Sequence, residues 1–293
     1  MIHPSERELN LIENYIKLAI AEDQQDPLNI IPKGDHSALS CISPNKVGKA
    51  KLLVKSNGIL AGVELAKIIA QHIDPQLSIE TLMSDGNSMK HGDIAFYLYG
   101  PEISILGAER IILNCMQRMS GIATLTNVYA KAIAHTAAKI LDTRKTTPNF
   151  RTFEKWAVRI GGGANHRFGL YDMIMLKDNH IDFCGGIKKA IMATKAYQQK
   201  LGTNLRVEVE ARNLNDVEII LQTGHCDRVM FDNFSVENTK LAVALVNKKI
   251  KTESSGGITL DTIKEYAETG VDFISVGALT HSYQSLDLSL KAV

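Results

Sequence analysis
The sequence predicts an α/β protein in two parts, a mixed α+β segment followed by a barrel-like parallel sheet. Three observations predict it. Up to about Ile105, helical and strand-like stretches follow one another without strict alternation. Beyond it, six apolar runs alternate with helical segments in units of roughly 20 to 35 residues, the signature of a parallel sheet. Nearly every one of those runs ends in a polar or glycine-bearing cluster, where barrels carry their sites.

The first part opens on a helix. Ser5 and Glu8 form a capping box, and Leu9, Ile12, Ile16 and Ile20 recur on one helical face. Asp26-Pro27 and Pro32-Lys33-Gly34-Asp35 mark a loop. GKAKLLVKSNGILAG reads as two strands joined in a hairpin at Ser56-Asn57-Gly58. A helix over 63–73 and strands over 77–82 and 93–99 complete the unit. His3, His36 and His91 fall in loops and read as surface residues. A long helix is expected over 106–135, its MSGIATLTN stretch small enough for another helix to approach.

The second part places strands at 139–142, 173–177, 205–210, 228–232, 251–255 and 273–276. Helices are expected over 187–200, 214–223, 235–247 and 259–269, with Leu214, Val217, Ile220 and Leu221 as one stripe. Six such units, with room for one more, suit a barrel-like sheet better than a small open one.

Bulk properties exclude several classes. With 33 Lys and Arg against 32 Asp and Glu, the formal charge is +1, so a nucleic-acid footprint is not expected. No apolar run reaches membrane-spanning length, and MIHPSERELN lacks a signal peptide's centre. Cys41, Cys115, Cys184 and Cys226 are far apart and read as reduced thiols of a cytoplasmic protein rather than zinc ligands.

The chemistry concentrates in residues 141–181, where Arg144, Lys145, Arg151, Lys155, Arg159, His166, Arg167 and Lys177 surround Gly161-Gly162-Gly163. So many cations on loop-like sequence are poor core material and suit a pocket for a polyanion. The plain alternative is a solvated basic face. The strand LRVEVE points Glu208 and Glu210 to one side, Glu210 nearer the active end, with Glu208 one layer deeper and available to a lysine. Asp232, ending RVMFD, is the opposite number of Glu210; the two suggest Mg²⁺ and stabilisation of positive charge on a sugar carbon. SSGGI and ISVGALT place glycine-bearing turns on the last two strands, a recurrent phosphate site next to helix N-termini; the alternative is two ordinary turns.

At these residues the sequence resembles the quinolinate phosphoribosyltransferase family. DTRKTTP, GGGANHR, LKDNHI, VEVE, FDN, ESSGGI and YAETGVDFISVGALTHS carry the likeness, in order, along nearly the whole chain. Two departures stand out: Asn149 where glycine is usual, which would alter a turn, and Phe231 where leucine is usual. The resemblance implies an N-terminal α+β sandwich domain (1–108), then an open, TIM-like α/β barrel (109–281), with the tail 282–293 packing back on the first. It implies that quinolinate and phosphoribosyl pyrophosphate give nicotinate mononucleotide, CO2 and pyrophosphate, with Mg²⁺, in NAD biosynthesis.

Carried over by motif, Arg144, His166, Arg167 and Lys177 would surround the quinolinate carboxylates, and Lys145 would reach the pyrophosphate. Glu210 and Asp232 would face the ribose and its metal. Ser255, Gly256, Gly257, Gly277 and Ala278 would hold the 5-phosphate, with Thr143 and Val276 completing the substrate-binding set. Lys145, Lys177, Glu210 and Asp232 would be the catalytic group. A homodimer is implied, Arg110 entering the neighbouring site, although by itself Arg110 reads as a solvated helix residue. Three rivals remain: a paralogue acting on another pyridine or base, a non-catalytic phosphate-binding protein, and a Schiff-base aldolase using Lys177.

Overall fold
A computed structural model describes residues 4–293, so His3 lies outside the described residues. In chain order the first elements are α1 (Glu6–Gln24), α2 (His36–Cys41), β1 (Val47–Val54), β2 (Gly58–Ile59), α3 (Val63–Ile73) and β3 (Ser78–Thr81). Then come β4 (Ser88–Met89), β5 (Ile94–Pro101), α4 (Glu102–Ala132), β6 (Lys139–Leu141), α5 (Arg151–Ile160) and β7 (Ile174–Leu176). The remainder is α6 (Asp178–Cys184), α7 (Ile187–Leu201), β8 (Val207–Ala211), α8 (Leu214–Thr223), β9 (Arg228–Asp232) and α9 (Val236–Val246). β10 (Lys251–Ser255), α10 (Ile263–Ala267), β11 (Phe273–Ser275), α11 (Ala278–His281) and β12 (Leu288–Ala292) close the chain.

The chain divides into two compact units. One takes residues up to Asn127 with Thr146–Gly162 and Leu279–Val293; the other takes Val128–Lys145 and Gly163–Ala278. Position 108 lies inside α4, a continuous helix, so the chain does not break there.

In the first unit β12-β1-β5-β3 form a four-stranded sheet, with both neighbours of β1 antiparallel to it. Ala50, Leu52, Val54, Phe96 and Leu98 are buried on one face of that sheet, as strand alternation requires. The capping box of α1 is present: the Ser5 side chain accepts from Glu8 N–H while the Glu8 carboxylate accepts from Ser5. The expected hairpin does not form. β2 pairs with β4 instead, because the turn residues are engaged elsewhere. Lys55 N–H donates to Asp287 O, Ser56 Oγ accepts from Asp287 N–H, and Asn57 Oδ1 accepts from His91 N–H.

Two further expectations change. His36 begins α2, capped by the Asp35 carboxylate, rather than lying in a loop. The small residues of α4 admit extended chain and a helix end rather than a helix flank. A Cβ on Gly121 would meet Gln284 O, and one on Gly161, the C-cap of α5, would meet Ala123 O. Ser120 and Thr124 hydroxyls accept from Ala61 and Ile59 N–H.

The largest correction is α5. Residues 151–160 are not loop: Phe153, Trp156, Ala157 and Ile160 recur at helical spacing and are buried. Three of the eight clustered cations therefore belong to a helix of the first unit. Lys155 is buried, and Arg159 Nη1 lies 2.8 Å from Glu8 Oε1. Arg151 Nε donates to Thr146 Oγ1. Glu154, wholly buried, accepts from Thr147 N–H and lies 3.4 Å from Arg118 Nη2.

The second unit holds a parallel six-stranded sheet, β6-β11-β10-β9-β8-β7. Every strand expected in this half is present. Beyond β6 the chain adds one isolated bridge, Leu141 to Ala164, with Ala164 N–H donating to Ile140 O and Asp142 N–H to Ala164 O. The segment carrying His166 and Arg167 thus lies along the β6 edge.

Candidate active site
All of the expected site residues except Arg110 lie in the second unit. Arg110 is exposed on α4 in the first unit. At the end of β6, Asp142 is wholly buried and its carboxylate accepts from His166 N–H (2.9 Å) and the Asn165 amide (2.5 Å). That clasp fixes where the chain turns inward. Thr143 Oγ1 accepts from Lys145 N–H, shaping the loop on which Arg144 and Lys145 are exposed. Four residues on from Lys145, Asn149 adopts φ +62°, a left-handed conformation that asparagine tolerates best after glycine. The departure at 149 therefore retains the turn. Phe231 is buried and stacks on Phe234, ring centroids 5.4 Å apart.

Arg167 is nearly buried, Nη1 donating to Met173 O at 3.2 Å. Burial, then the neighbouring Arg144, lower its pKa, while Glu208 and Asp172 oppose them. The Arg144 guanidinium is thus near enough to repel that of Arg167, as two groups serving one anion would be. Lys177, directly after β7 and at the N-cap of α6, places Nζ 3.4 Å from Glu210 Oε2. The Glu210 carboxyl is pushed up by burial and by Asp232, and held down by Lys177. Glu210 and Asp232 are thus close, like-charged groups at neighbouring strand ends, a hard-oxygen donor pair that suits Mg²⁺.

Gly256 (φ +96°) and Gly257 (φ +61°) follow β10. A Cβ on Gly256 would collide with the Asn233 side chain, whereas Gly257 faces open space. Asn233 N–H donates to Ser255 O, joining this turn to the one after β9. Val276, Gly277 and Ala278 form the neighbouring turn, and Ala278 starts α11. The glycine pair does not abut a helix as expected, because a turn at 259–262 precedes α10.

Beneath these ends lies a second layer that sequence reasoning mostly missed. Glu208 Oε2 is 2.9 Å from His166 Nε2 and 3.9 Å from Arg228 Nη1; Glu253 Oε2 is 2.6 Å from Arg228 Nη1 and 3.6 Å from His166 Nε2. Both carboxyls are wholly buried. Burial pushes each up to about 7, Glu208 itself raising Glu253, while Arg228 draws both down. Glu208 therefore faces a histidine and an arginine rather than a lysine. The alternation Lys251, Glu253, Ser255 was the available signal for Glu253.

Comparison with known proteins settles the lineage. The C-terminal domain model of quinolinate phosphoribosyl transferase matches residues 122–291, and the N-terminal domain model matches 35–120. The chain belongs to the quinolinate phosphoribosyl transferase family. A chloroplastic nicotinate-nucleotide pyrophosphorylase [carboxylating] of Oryza sativa is 44% identical, covering 96% of this chain and 77% of that protein. A probable nicotinate-nucleotide pyrophosphorylase [carboxylating] of Bacillus subtilis is 42% identical over 83% of this chain and 82% of its own length. The solved nicotinate-nucleotide pyrophosphorylase of Francisella tularensis superposes with a TM-score of 0.88 at 38% identity, covering 100% of this chain and 99% of that one. The two-part fold expected for the family, a small α+β domain and an α/β domain on a parallel sheet, is the fold observed.

Proposed function
We infer that this enzyme transfers the phosphoribosyl group of phosphoribosyl pyrophosphate to the ring nitrogen of quinolinate, releasing pyrophosphate, CO2 and nicotinate mononucleotide. What supports the reading is a pair of charge groupings, Lys177 Nζ 3.4 Å from Glu210 Oε2 with Asp232 acting on the same carboxyl, and Arg144 acting on Arg167. A dianionic ring beside a sugar that develops positive charge needs both halves of that set.

In this reading the planar forks of Arg144 and Arg167, with Lys177 beside them, receive the two ring carboxylates. His166, its ring nitrogens turned to Arg167 N–H and to Glu208, stands behind them rather than touching the substrate as expected. Lys145 meets the pyrophosphate. The glycine turns at 255–257 and 276–278 present backbone N–H groups to the 5-phosphate, with Thr143 alongside. The ring nitrogen forms a bond to the anomeric carbon as the bond to the pyrophosphate oxygen breaks. Glu210 and Asp232 stabilise the charge on that carbon. Ribosylation leaves the ring nitrogen cationic, so the carbon beside it retains the electron pair as CO2 departs and then takes a proton. Mg²⁺, held by Glu210 and Asp232 directly or through the substrate, would offset charge on the departing pyrophosphate.

The reading extends to assembly and setting. The enzyme acts as a homodimer in which Arg110 enters the neighbouring site, and works in the cytoplasm. Among the described residues no helix is long and apolar enough to cross a membrane. Incubation with quinolinate, phosphoribosyl pyrophosphate and Mg²⁺ should release one CO2 per nicotinate mononucleotide. Turnover of nicotinate in place of quinolinate would overturn the assignment. Mixing Arg110→Ala with Lys177→Ala protomers should restore roughly a quarter of native activity if sites are shared across a two-fold dimer. No recovery would remove the shared site.

A further inference from the structure
The buried group formed by His166, Glu208, Glu253 and Arg228 asks what it is for. Its His and two Glu donor atoms lie within 4.8 Å of one another, as metal ligands would. A metal is a poor occupant, because Arg228 Nη1 already lies 2.6 Å from Glu253 Oε2 and supplies the cation. The histidine points to another role. His166 Nδ1 accepts the backbone N–H of Arg167 at 2.7 Å, which leaves the ring proton on Nε2, facing the two carboxyls. Both ring nitrogens are thus directed into the protein: Nδ1 accepts from the backbone of Arg167, and Nε2 lies against the carboxyls of Glu208 on β8 and Glu253 on β10.

We propose that Glu208, Glu253 and Arg228 are positioning residues that act through His166 to fix Arg167 for the substrate carboxylate. This rests on the reading of Arg167 as a quinolinate ligand. The chain segment 163–168 is held by a bridge to β6, by the Asp142 clasp and by Phe168 N–H donating to Asp172. The imidazole adds a link from that edge to the interior strands β8 and β10. A guanidinium displaced by about 1 Å loses much of its grip on a planar carboxylate.

The test is steady-state kinetics of Glu208→Ala, Glu253→Ala and His166→Asn beside the native enzyme, with melting curves and metal analysis. Each folded variant should raise the quinolinate KM on the order of tenfold or more, leaving the phosphoribosyl pyrophosphate KM within about twofold. Glu208→Gln, which retains an acceptor oxygen, should recover most of the loss. Amide exchange at 164–168 should quicken in His166→Asn. An unchanged quinolinate KM, an equal rise in both KM values, or one divalent metal per chain lost in His166→Asn would each overturn the proposal. If the alanine variants do not fold, His166→Asn and Glu208→Gln carry the same criteria. Should Arg167→Ala leave quinolinate binding untouched, the substrate reading fails, while amide exchange still decides whether the link exists.

Discussion

The two sheets obey the same alternation and bury opposite kinds of residue. In the first unit β1 and β5 turn Ala50, Leu52, Val54, Phe96 and Leu98 inward, and leave Lys49 over the Tyr97 ring at 3.6 Å on the other face. In the second unit β8 is buried along its whole length, yet two of its five residues are Glu208 and Glu210. Burying an aliphatic side chain contributes about 1.5–3 kcal/mol, whereas burying a carboxylate costs several kcal/mol unless it is paired. The first sheet is therefore a stability layer. The second gives up stability to hold charge inside the sheet.

The contrast can be broken at its ends. The largest effect is expected at Lys177, whose removal strips the cation from Glu210. Lys177→Ala and Arg144→Ala should each lower turnover by about a hundredfold or more, with melting temperatures within about 3 °C of native. Near-native turnover in both would mean that the strand-end cations do not serve the reaction. Leu52→Ala should do the reverse. It should remove about 2–5 kcal/mol of stability while the folded fraction keeps its kcat, measured by denaturant melts and assays at low temperature. A change in kcat without loss of stability would erase the division of labour.

A pH series sharpens the same comparison. Glu253 titrates near 4.5 when unfolded and at about 7 when folded. Between those values the folded state binds more protons, so its contribution to stability is complete below about 4.5 and declines as pH rises through 7. Native protein should therefore lose melting temperature from pH 5 to pH 7.5 more steeply than Glu253→Gln. Parallel curves would show that the buried carboxyl does not titrate in this range. The smallest effect is at Asn149. Because its φ is +62°, Asn149→Gly should be close to neutral and Asn149→Ala should cost about 1 kcal/mol, a difference read from paired denaturant melts.

How far the sequence could be read depended on range. Its local signals determined the six parallel strands, the capping box at Ser5, the α3 and α8 spans, and the inward side of β8, because period and capping are properties of neighbouring residues. It misassigned α5, where charges at 151, 154, 155 and 159 hid an apolar stripe through Phe153, Trp156 and Ile160. It placed a hairpin at Ser56-Asn57-Gly58, whose bonds go instead to Asp287 and His91. It singled out Glu208 without its partners and passed over Glu253 and Arg228. Those outcomes turn on groups far apart in the chain, such as His166 meeting Glu208 and Glu253 at the centre of a sheet. Which residue faces inward is written in the alternation of one strand. Which charge it meets there is decided only when separate strands pack, since a buried ion takes whatever partner the fold delivers.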